Sequence, residues 1–226
     1  DPHDVGEKLA EFNPTGTVEE TVLFDNEISK ITLKSLEYTD YEAIFNLSIE
    51  NKTDGELDYS CGSVGYCVNS VNGYMVSEGF MNCQVPANTT QDESFDMSFY
   101  SLKQYGIFEI ADFEIGFSIT DEEYNRTYTG PLAVKTSIAD GYDYSKHSFA
   151  NTAATQAAQN TYHYNIDYFA ADELYNEGGI RLVTEVLFTN DENEQYLMLE
   201  FENNSDIAAT ISISQLTVNG LLINDS

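Results

Sequence analysis

The side chains best suited to act as nucleophiles or soft metal ligands are few, and the sequence keeps them apart. They are three cysteines and three histidines, namely Cys61, Cys67, Cys83, His3, His147 and His163. Zinc sites need cysteine pairs at CxxC spacing or histidines nearby, and nucleophilic catalysis needs a Ser or Cys with a His base and an orienting acid. No such grouping and no GxSxG motif occurs. We therefore predict that the chain is not an enzyme and has no catalytic residues, metal ligands or cofactor.

Carboxylates, by contrast, are abundant, with 39 Asp and Glu residues. Two runs could supply the oxygen ligands that calcium prefers, Asp121-Glu122-Glu123 and Asp191-Glu192-Asn193-Glu194. Neither has the DxDxDG spacing of a calcium loop, so we interpret both as solvated hairpin tips. A carboxylate pair for glycoside hydrolysis cannot be recognised among so many acidic residues.

Tyrosine is the other abundant side chain with binding chemistry, at 16 residues, while Trp is absent. Exposed tyrosines stack on sugars or form the energetic centre of protein interfaces. More often they line the half-exposed faces of a β-sandwich. The first candidates for ligand contact are Tyr66, Tyr162, Tyr164 and Tyr168.

The elements that would position these residues form an internal repeat. Residues 23–49 and 174–201 each open with Leu, an aromatic residue and a cluster of Asn, Asp or Glu, and continue as two alternating strands around a polar turn. Both copies then have an ENxxD segment, at Glu50 and at Glu202, and both reach a Val-Asn-Gly turn. Period-two alternation marks half-buried strands, and Asn-Gly supplies the positive φ angles of a tight hairpin. We predict two copies of one β-rich unit.

The first copy carries an inserted loop between two cysteines. The copies are offset by 152 residues at Asn51/Asn203 but by 147 at Asn72/Asn219, which places five extra residues at 62–66. Cys61 and Cys67 lie at the base of this loop, where the Cα separation of a disulfide could be met. We predict a Cys61–Cys67 bridge. The alternatives are two reduced thiols or a bridge to Cys83.

The spacing of the strands indicates an all-β fold. Seven or eight short strands over residues 20–137, with almost no helix signal, favour an immunoglobulin-like β-sandwich. We divide the chain into an N-terminal segment (1–19), this sandwich (20–137), a connector (138–171) and the first half of a second sandwich (172–226). Within the connector, residues 150–159 are predicted as a short helix or a flexible tether, and residues 161–169 as an extra strand or a docking segment.

The second copy has no counterpart of residues 80–137. Half a sandwich would expose an apolar face and open strand edges. Three arrangements would resolve this: the native chain continues beyond Ser226, residues 1–22 and 138–170 supply the missing strands, or a second chain completes the sheet. We favour the first two.

The repeat signatures resemble the immunoglobulin-like modules of secreted or lipid-anchored cell-surface proteins of Gram-positive gut bacteria. The matching stretches are Leu23 to Ile31, Ile49 to Asp54 and Val71 to Val76, with weaker counterparts in the second copy. The resemblance implies an extracellular, non-catalytic module, anchored to the cell envelope in some members, that serves in adhesion, binding or spacing. A carbohydrate-binding module attached to an envelope enzyme is the alternative.

Net charge limits the partners. The formal charge is −30, and Arg181 is the one basic residue between Ser148 and Ser226. Binding to nucleic acid depends on Lys and Arg displacing counterions, so nucleic acid is excluded as a partner, as is adhesion to anionic membranes through a basic patch. The longest apolar runs are about five residues, against the roughly 20 of a membrane-spanning helix. The expected partner is a protein or glycan at the cell surface.

Overall fold

A computed structural model of the chain describes residues 6–62, 69–144, 149–212, 216–218 and 221–223, and these residues are mostly β. Ten strands precede the connector: β1 (Thr21–Asp25), β2 (Ser29–Tyr38), β3 (Glu42–Asn51), β4 (Leu57–Cys61), β5 (Asn69–Val71), β6 (Tyr74–Val76), β7 (Met81–Val85), β8 (Thr90–Ser98), β9 (Asp112–Asp121) and β10 (Arg126–Lys135). The prediction of a β fold is confirmed at this level.

These ten strands, which we call the first unit, form two antiparallel sheets. One has the order β1-β2-β3-β8, and the other has the order β6-β5-β9-β4-β7 with β10 beside β9. Alternation decides which residues face inward, because every second residue of β3, from Ala43 to Asn51, is buried. Phe45 of β3 meets Phe113 of β9 edge-on, with 4.8 Å between ring centroids. The two sheets therefore pack face to face around one hydrophobic core.

A short helix and the N-terminal segment close one end of this core. The helix α1 (Phe99–Gln104) comes directly after β8 and buries Phe99 and Leu102. Phe12 stacks on Phe99, with 4.1 Å between the ring centroids. The residues before β1 are therefore part of the first unit's packing.

The connector folds into two helices and a strand, so one option predicted for each of its halves is observed. The helices are α2 (Phe149–Ala153) and α3 (Gln156–Tyr162), and the strand is β11 (Tyr164–Ala170). The hydroxyl of Thr155 caps α3 by accepting the Ala158 N–H at 3.1 Å, and His163 ends the helix in the left-handed conformation. The side-chain amide of Asn160 donates to the Glu7 carbonyl at 2.8 Å, which ties α3 to the N-terminal segment.

The second unit is a smaller antiparallel sheet made of β11, β12 (Tyr175–Glu177), β13 (Ile180–Asn190) and β14 (Gln195–Asn203). β13 is central, because β11 and β12 pair along one side of it and β14 pairs along the other. A separate hairpin comes after β14 and is made of β15 (Leu216–Val218) and β16 (Leu221–Ile223). Residues 164–170 thus supply an additional strand to the second unit.

The two units share strand order and register. In each, one residue of the second strand pairs with equivalent residues of the strands before and after it: Ile31 with Phe24 and Ile49 in the first unit, and Leu182 with Tyr175 and Phe201 in the second. The hairpin of β15 and β16 corresponds in the same way to that of β5 and β6. The sequence repeat is therefore also a repeat of strand pairing.

The units differ in the elements on the C-terminal side of their third strand. β4 of the first unit is paired by β7 and by β9. The corresponding residues 207–212 form no strand, although their sequence alternates. Strands comparable to β7 and β9 do not occur in the second unit among the described residues. Among all the residues that the structure describes, no helix has the length and apolar character needed to cross a bilayer.

Candidate functional site

The second sheet has one face on which apolar side chains collect, and we call it the open face. Directly opposite residues of an antiparallel pair lie on the same face, and the register places seven such residues together: Tyr168, Tyr175, Leu182, Leu187, Leu197, Leu199 and Phe201. Glu185, opposite Leu199, lies among them. All eight side chains are exposed or partly exposed.

The open face corresponds to the face that the first unit buries in its core. There, β2 and β3 contribute residues that are at most 8% exposed: Ile31, Leu33, Leu36, Ala43, Phe45, Leu47 and Ile49. In β14 the equivalent residues Leu197, Leu199 and Phe201 are all partly exposed. The same strand framework is thus covered by a second sheet in one unit and is left accessible by the described residues of the other.

The opposite face of the second sheet is turned toward the first unit. Thr184 and Val186, which lie on it, are each 1% exposed. Burial, together with the nearby carboxylates of Glu200 and Glu202, raises the pKa of Tyr74 in the hairpin of β5 and β6. The open face therefore points away from the first unit.

A matching pair of asparagines ends the third strand in each unit. Asn51 donates to the Gly55 carbonyl at 2.8 Å and accepts the N–H and hydroxyl of Thr53. Asn203 repeats this arrangement, donating to the carbonyl of Ile207 at 2.9 Å and accepting from Ser205. The predicted turn chemistry is therefore present in both copies.

One hydrogen bond distinguishes the two asparagines. Asn51 also donates to the Val85 carbonyl of β7 at 2.9 Å and is 1% exposed. Asn203 is exposed, and its described hydrogen bonds remain within the turn. The first turn is thus bonded to a covering sheet, whereas the second has no such bond to the part of the chain that the structure describes.

The four candidate tyrosines lie in different surroundings. Tyr168 is on the open face and is 52% exposed. The hydroxyl of Tyr162 donates to the Tyr100 carbonyl, and that of Tyr164 to the Ala153 carbonyl, both through partly buried rings that hold the helices in place. Burial raises the pKa of Tyr164 to about 12. Tyr66 lies outside the described residues.

Two cysteines and one histidine lie among the described residues. Cys61 and Cys83 are buried in the core of the first unit, and burial, with smaller contributions from Glu93 and Asp58, raises the pKa of the Cys83 thiol to about 12. His163 lies at the end of α3, where its Nδ1 is 3.1 Å from a carboxylate oxygen of Asp191. Cys67 lies outside the described residues, so the Cys61–Cys67 bridge stays a prediction.

The two acidic runs considered for calcium close turns. Asp121 accepts the backbone N–H groups of Glu123 and Asn125, each at 2.9 Å, and the Asn125 side chain also donates to it. Hydrogen bonds from Asn125 hold the pKa of Asp121 below its ordinary value. Asn190 accepts the N–H groups of Glu192 and Glu194 in the same way. Within the described ranges no group of three His, Cys, Asp or Glu residues could hold a metal ion.

Of the eight open-face residues only Tyr168 was predicted as a site residue from the sequence, and the other seven, Tyr175 and Glu185 among them, were missed. The repeat alignment does pair Tyr175 with Phe24, so its strand position could have been found. Glu185 faces outward with Leu199 because the pairing shifts at Val183, whereas the first unit shifts at Lys34. The alternation of side chains gives no signal for a two-residue difference in the position of a bulge.

No protein-family model and no curated protein matches the sequence. A crystal structure of chicken MD-1 complexed with lipid IVa is matched at 13% sequence identity over 52% of this chain and 97% of that chain, with a TM-score of 0.23. That score is too low to carry an inference from MD-1 to this chain.

Proposed function

We propose that this chain is a non-catalytic binding protein made of two immunoglobulin-like repeats. The first repeat is a complete β-sandwich that serves as the scaffold, and the second presents the open face to a polypeptide partner outside the cell. The single observation that supports this role is the difference in cover between two equivalent sheet faces. Exposed apolar surface is unfavourable unless a partner uses it.

Selection of peptides by the full-length chain tests this role. A phage-displayed random peptide library is selected on the immobilised chain, and the enriched peptides are then measured on two variants. Leu199→Asn alters the open face, whereas the matched control Ile44→Asn alters a partly exposed apolar residue on the outer side of β3. We expect enriched peptides to lose binding to Leu199→Asn and to keep it for Ile44→Asn. No enrichment, or binding that is indifferent to Leu199→Asn, would overturn the proposal.

A carbohydrate-binding role is the second candidate, because two tyrosines lie on the same open face. Tyr168 is 52% exposed and Tyr175 is 48% exposed, and exposed aromatic rings suit stacking against sugars. Titration calorimetry with soluble α- and β-glucans tests this role. If these tyrosines bind sugar, the unaltered chain should release or absorb heat on titration. This heat should disappear in Tyr168→Ala and Tyr175→Ala but persist in Leu199→Asn. No heat from any glucan would count against it.

A further inference from the structure

β14 lies at an edge of its sheet. In the first unit β3 is paired on both sides, by β2 and by β8, whereas β14 is paired only by β13 among the described strands. Edge strands are normally protected by Lys, Pro or a bulge, and β14 contains neither Lys nor Pro. Its carboxylates are held within the sheet, Glu200 by the hydroxyl of Thr184 and Glu202 by Arg181. β14 is therefore suited to receive a further strand.

The first unit demonstrates how such a strand would sit. β8 runs antiparallel along the whole of β3, and Phe95 of β8 stacks on Phe45 with 4.8 Å between ring centroids. Leu197 takes the place of Phe45 in the repeat. A strand added to β14 in this register would lay every second side chain over the open face, where Leu197 and its neighbours would be covered.

One position of the framework changes from apolar to acidic between the units. In the first unit Leu47 of β3 lies between Leu33 of β2 and Glu93 of β8. In the second unit Leu199 takes the place of Leu47, and its neighbour in β13 is Glu185. A side chain of the added strand opposite Leu199 would thus lie two strands from the Glu185 carboxylate. A Lys or Arg at that position would be long enough to reach it.

Glu185 favours a positively charged side chain at the position opposite Leu199. Its carboxylate makes no hydrogen bond or ion pair within the described part of the chain, unlike the carboxylates of Glu200 and Glu202 on the opposite face of the sheet. An apolar strand laid over the face would remove water from the carboxylate without compensation, which is costly. A Lys or Arg would compensate it. The net charge of −30 likewise favours a basic partner and opposes a second copy of this chain.

We propose, building on the binding role above, that the partner is an extended polypeptide segment that adds to β14 as an antiparallel strand. Its apolar side chains alternate over Leu197 and Phe201, and a Lys or Arg opposite Leu199 pairs with Glu185. Backbone hydrogen bonds along the edge of β14 supply affinity, and the basic side chain supplies specificity.

Synthetic peptides with the sequence of β8 provide the probe. One peptide has the sequence Thr90–Ser98 unchanged, and two others carry Glu93→Lys or Glu93→Gln at the position that would lie opposite Leu199. Fluorescence anisotropy measures the binding of each labelled peptide to the full-length chain. We expect the Glu93→Lys peptide to bind about tenfold more tightly than the unchanged peptide, as for a partly exposed ion pair replacing a like-charge pair. The Glu93→Gln peptide should lie between them.

Variants of the chain assign this preference to Glu185. Glu185→Gln should reduce the preference for the Glu93→Lys peptide to about twofold, and Glu185→Lys should reverse it. The matched control Glu192→Gln makes the same change of charge at an exposed hairpin tip and should leave the preference unchanged. A preference that survives Glu185→Gln would overturn the inference.

Two further outcomes separate this inference from the proposed function. If library peptides bind the open face but no β8 peptide does, strand addition is wrong and the binding role stands. If neither kind of peptide binds, the binding role itself fails. Sedimentation velocity supplies the last arm: a dimer of the unliganded chain that Leu199→Asn abolishes would make a second copy the occupant and overturn the inference.

Discussion

The two equivalent asparagines separate local turn chemistry from long-range packing. Asn51 and Asn203 make the same hydrogen bonds within their turns, but only Asn51 also bonds the Val85 carbonyl of a covering sheet. Asn51→Ala leaves that buried carbonyl without its donor, which typically costs about 1–3 kcal/mol. Asn203→Ala exposes its partners to water and should cost about 0.5 kcal/mol or less.

Urea denaturation of the two variants measures this difference. The free energy of unfolding should fall distinctly more for Asn51→Ala than for Asn203→Ala, while circular dichroism shows that both retain their strands. Similar losses in the two variants would show that Val85 adds nothing to the turn, and would contradict the difference in cover between the units.

The sequence allows these asparagines to be assigned to turns, because Asn with Thr or Ser two residues later is sufficient for the local bonds. The bond to Val85 could not be predicted, since β7 lies 34 residues further along the chain. The same limit applies to Glu185: its residue type is visible in the sequence, but its side of the sheet depends on where the pairing shifts. The hydrogen bonds within the turns could be predicted from the sequence, whereas the long-range pairing register could not.

At the scale of elements, the first hairpin of each unit reaches the same register through different turn residues. In the first unit Asn26 accepts the N–H groups of Ile28 and Ser29. In the second, Gly178 and Gly179 take positive φ angles of 61° and 85°, as a tight two-residue hairpin requires. The positive φ angles of these glycines are therefore explained by the geometry of the turn.

The two glycines should differ in their tolerance of substitution. A Cβ on Gly179 would meet Ser205 at 3.0 Å, whereas one on Gly178 would meet nothing within 4 Å. Gly179→Ala should destabilise the second sheet by about 1–2 kcal/mol because of its left-handed backbone, and by more through contact with Ser205. Gly178→Asn should be tolerated, because Asn adopts this conformation readily.

Amide hydrogen exchange across Tyr175–Glu177 and the start of β13 measures both variants. Gly179→Ala should accelerate exchange there, whereas Gly178→Asn should not. Neither variant should change exchange in the first unit. Equal acceleration in both variants would contradict the hairpin geometry.

Strand positions were predicted well where alternation was strong and partners were present, as in β2, β3 and β13. Residues 207–212 have a strand-like pattern but form no strand. Their counterpart β4 is paired on both sides, by β7 and β9. A strand needs its partners, so a sequence pattern alone does not settle whether it forms. The helices of the connector were recognised from their composition only as one of two options.

At the scale of the whole molecule, partly buried tyrosines make stability sensitive to alkaline pH. Burial raises the pKa of Tyr38 above its ordinary value of 10.0 and that of Tyr164 to about 12. At a pH between the unfolded pKa near 10 and the raised folded-state pKa, each tyrosine keeps a proton in the folded state that it releases in the unfolded state. The contribution of these tyrosines to the free energy of unfolding should therefore be constant below about pH 10 and fall as the pH rises further.

Two tyrosine variants test this dependence by denaturation at several pH values. Tyr38→Phe loses the hydrogen bond to the Gly16 carbonyl, 2.7 Å away, so it should begin less stable but decline less steeply above pH 10. Tyr41→Phe, at a side chain that is 78% exposed, should match the unaltered chain. A Tyr38→Phe profile parallel to that of the unaltered chain would contradict the assignment.

One strand framework occurs twice in this molecule, and the residues that the structure describes cover it only once; solvent paramagnetic relaxation tests this claim most directly. A soluble gadolinium chelate broadens the NMR signals of methyl groups that it can approach. We predict strong broadening for Leu187, Leu197 and Leu199 and little for Leu33 and Leu47, which are at most 1% exposed. Equal protection of the two sets of methyl groups would contradict the claim.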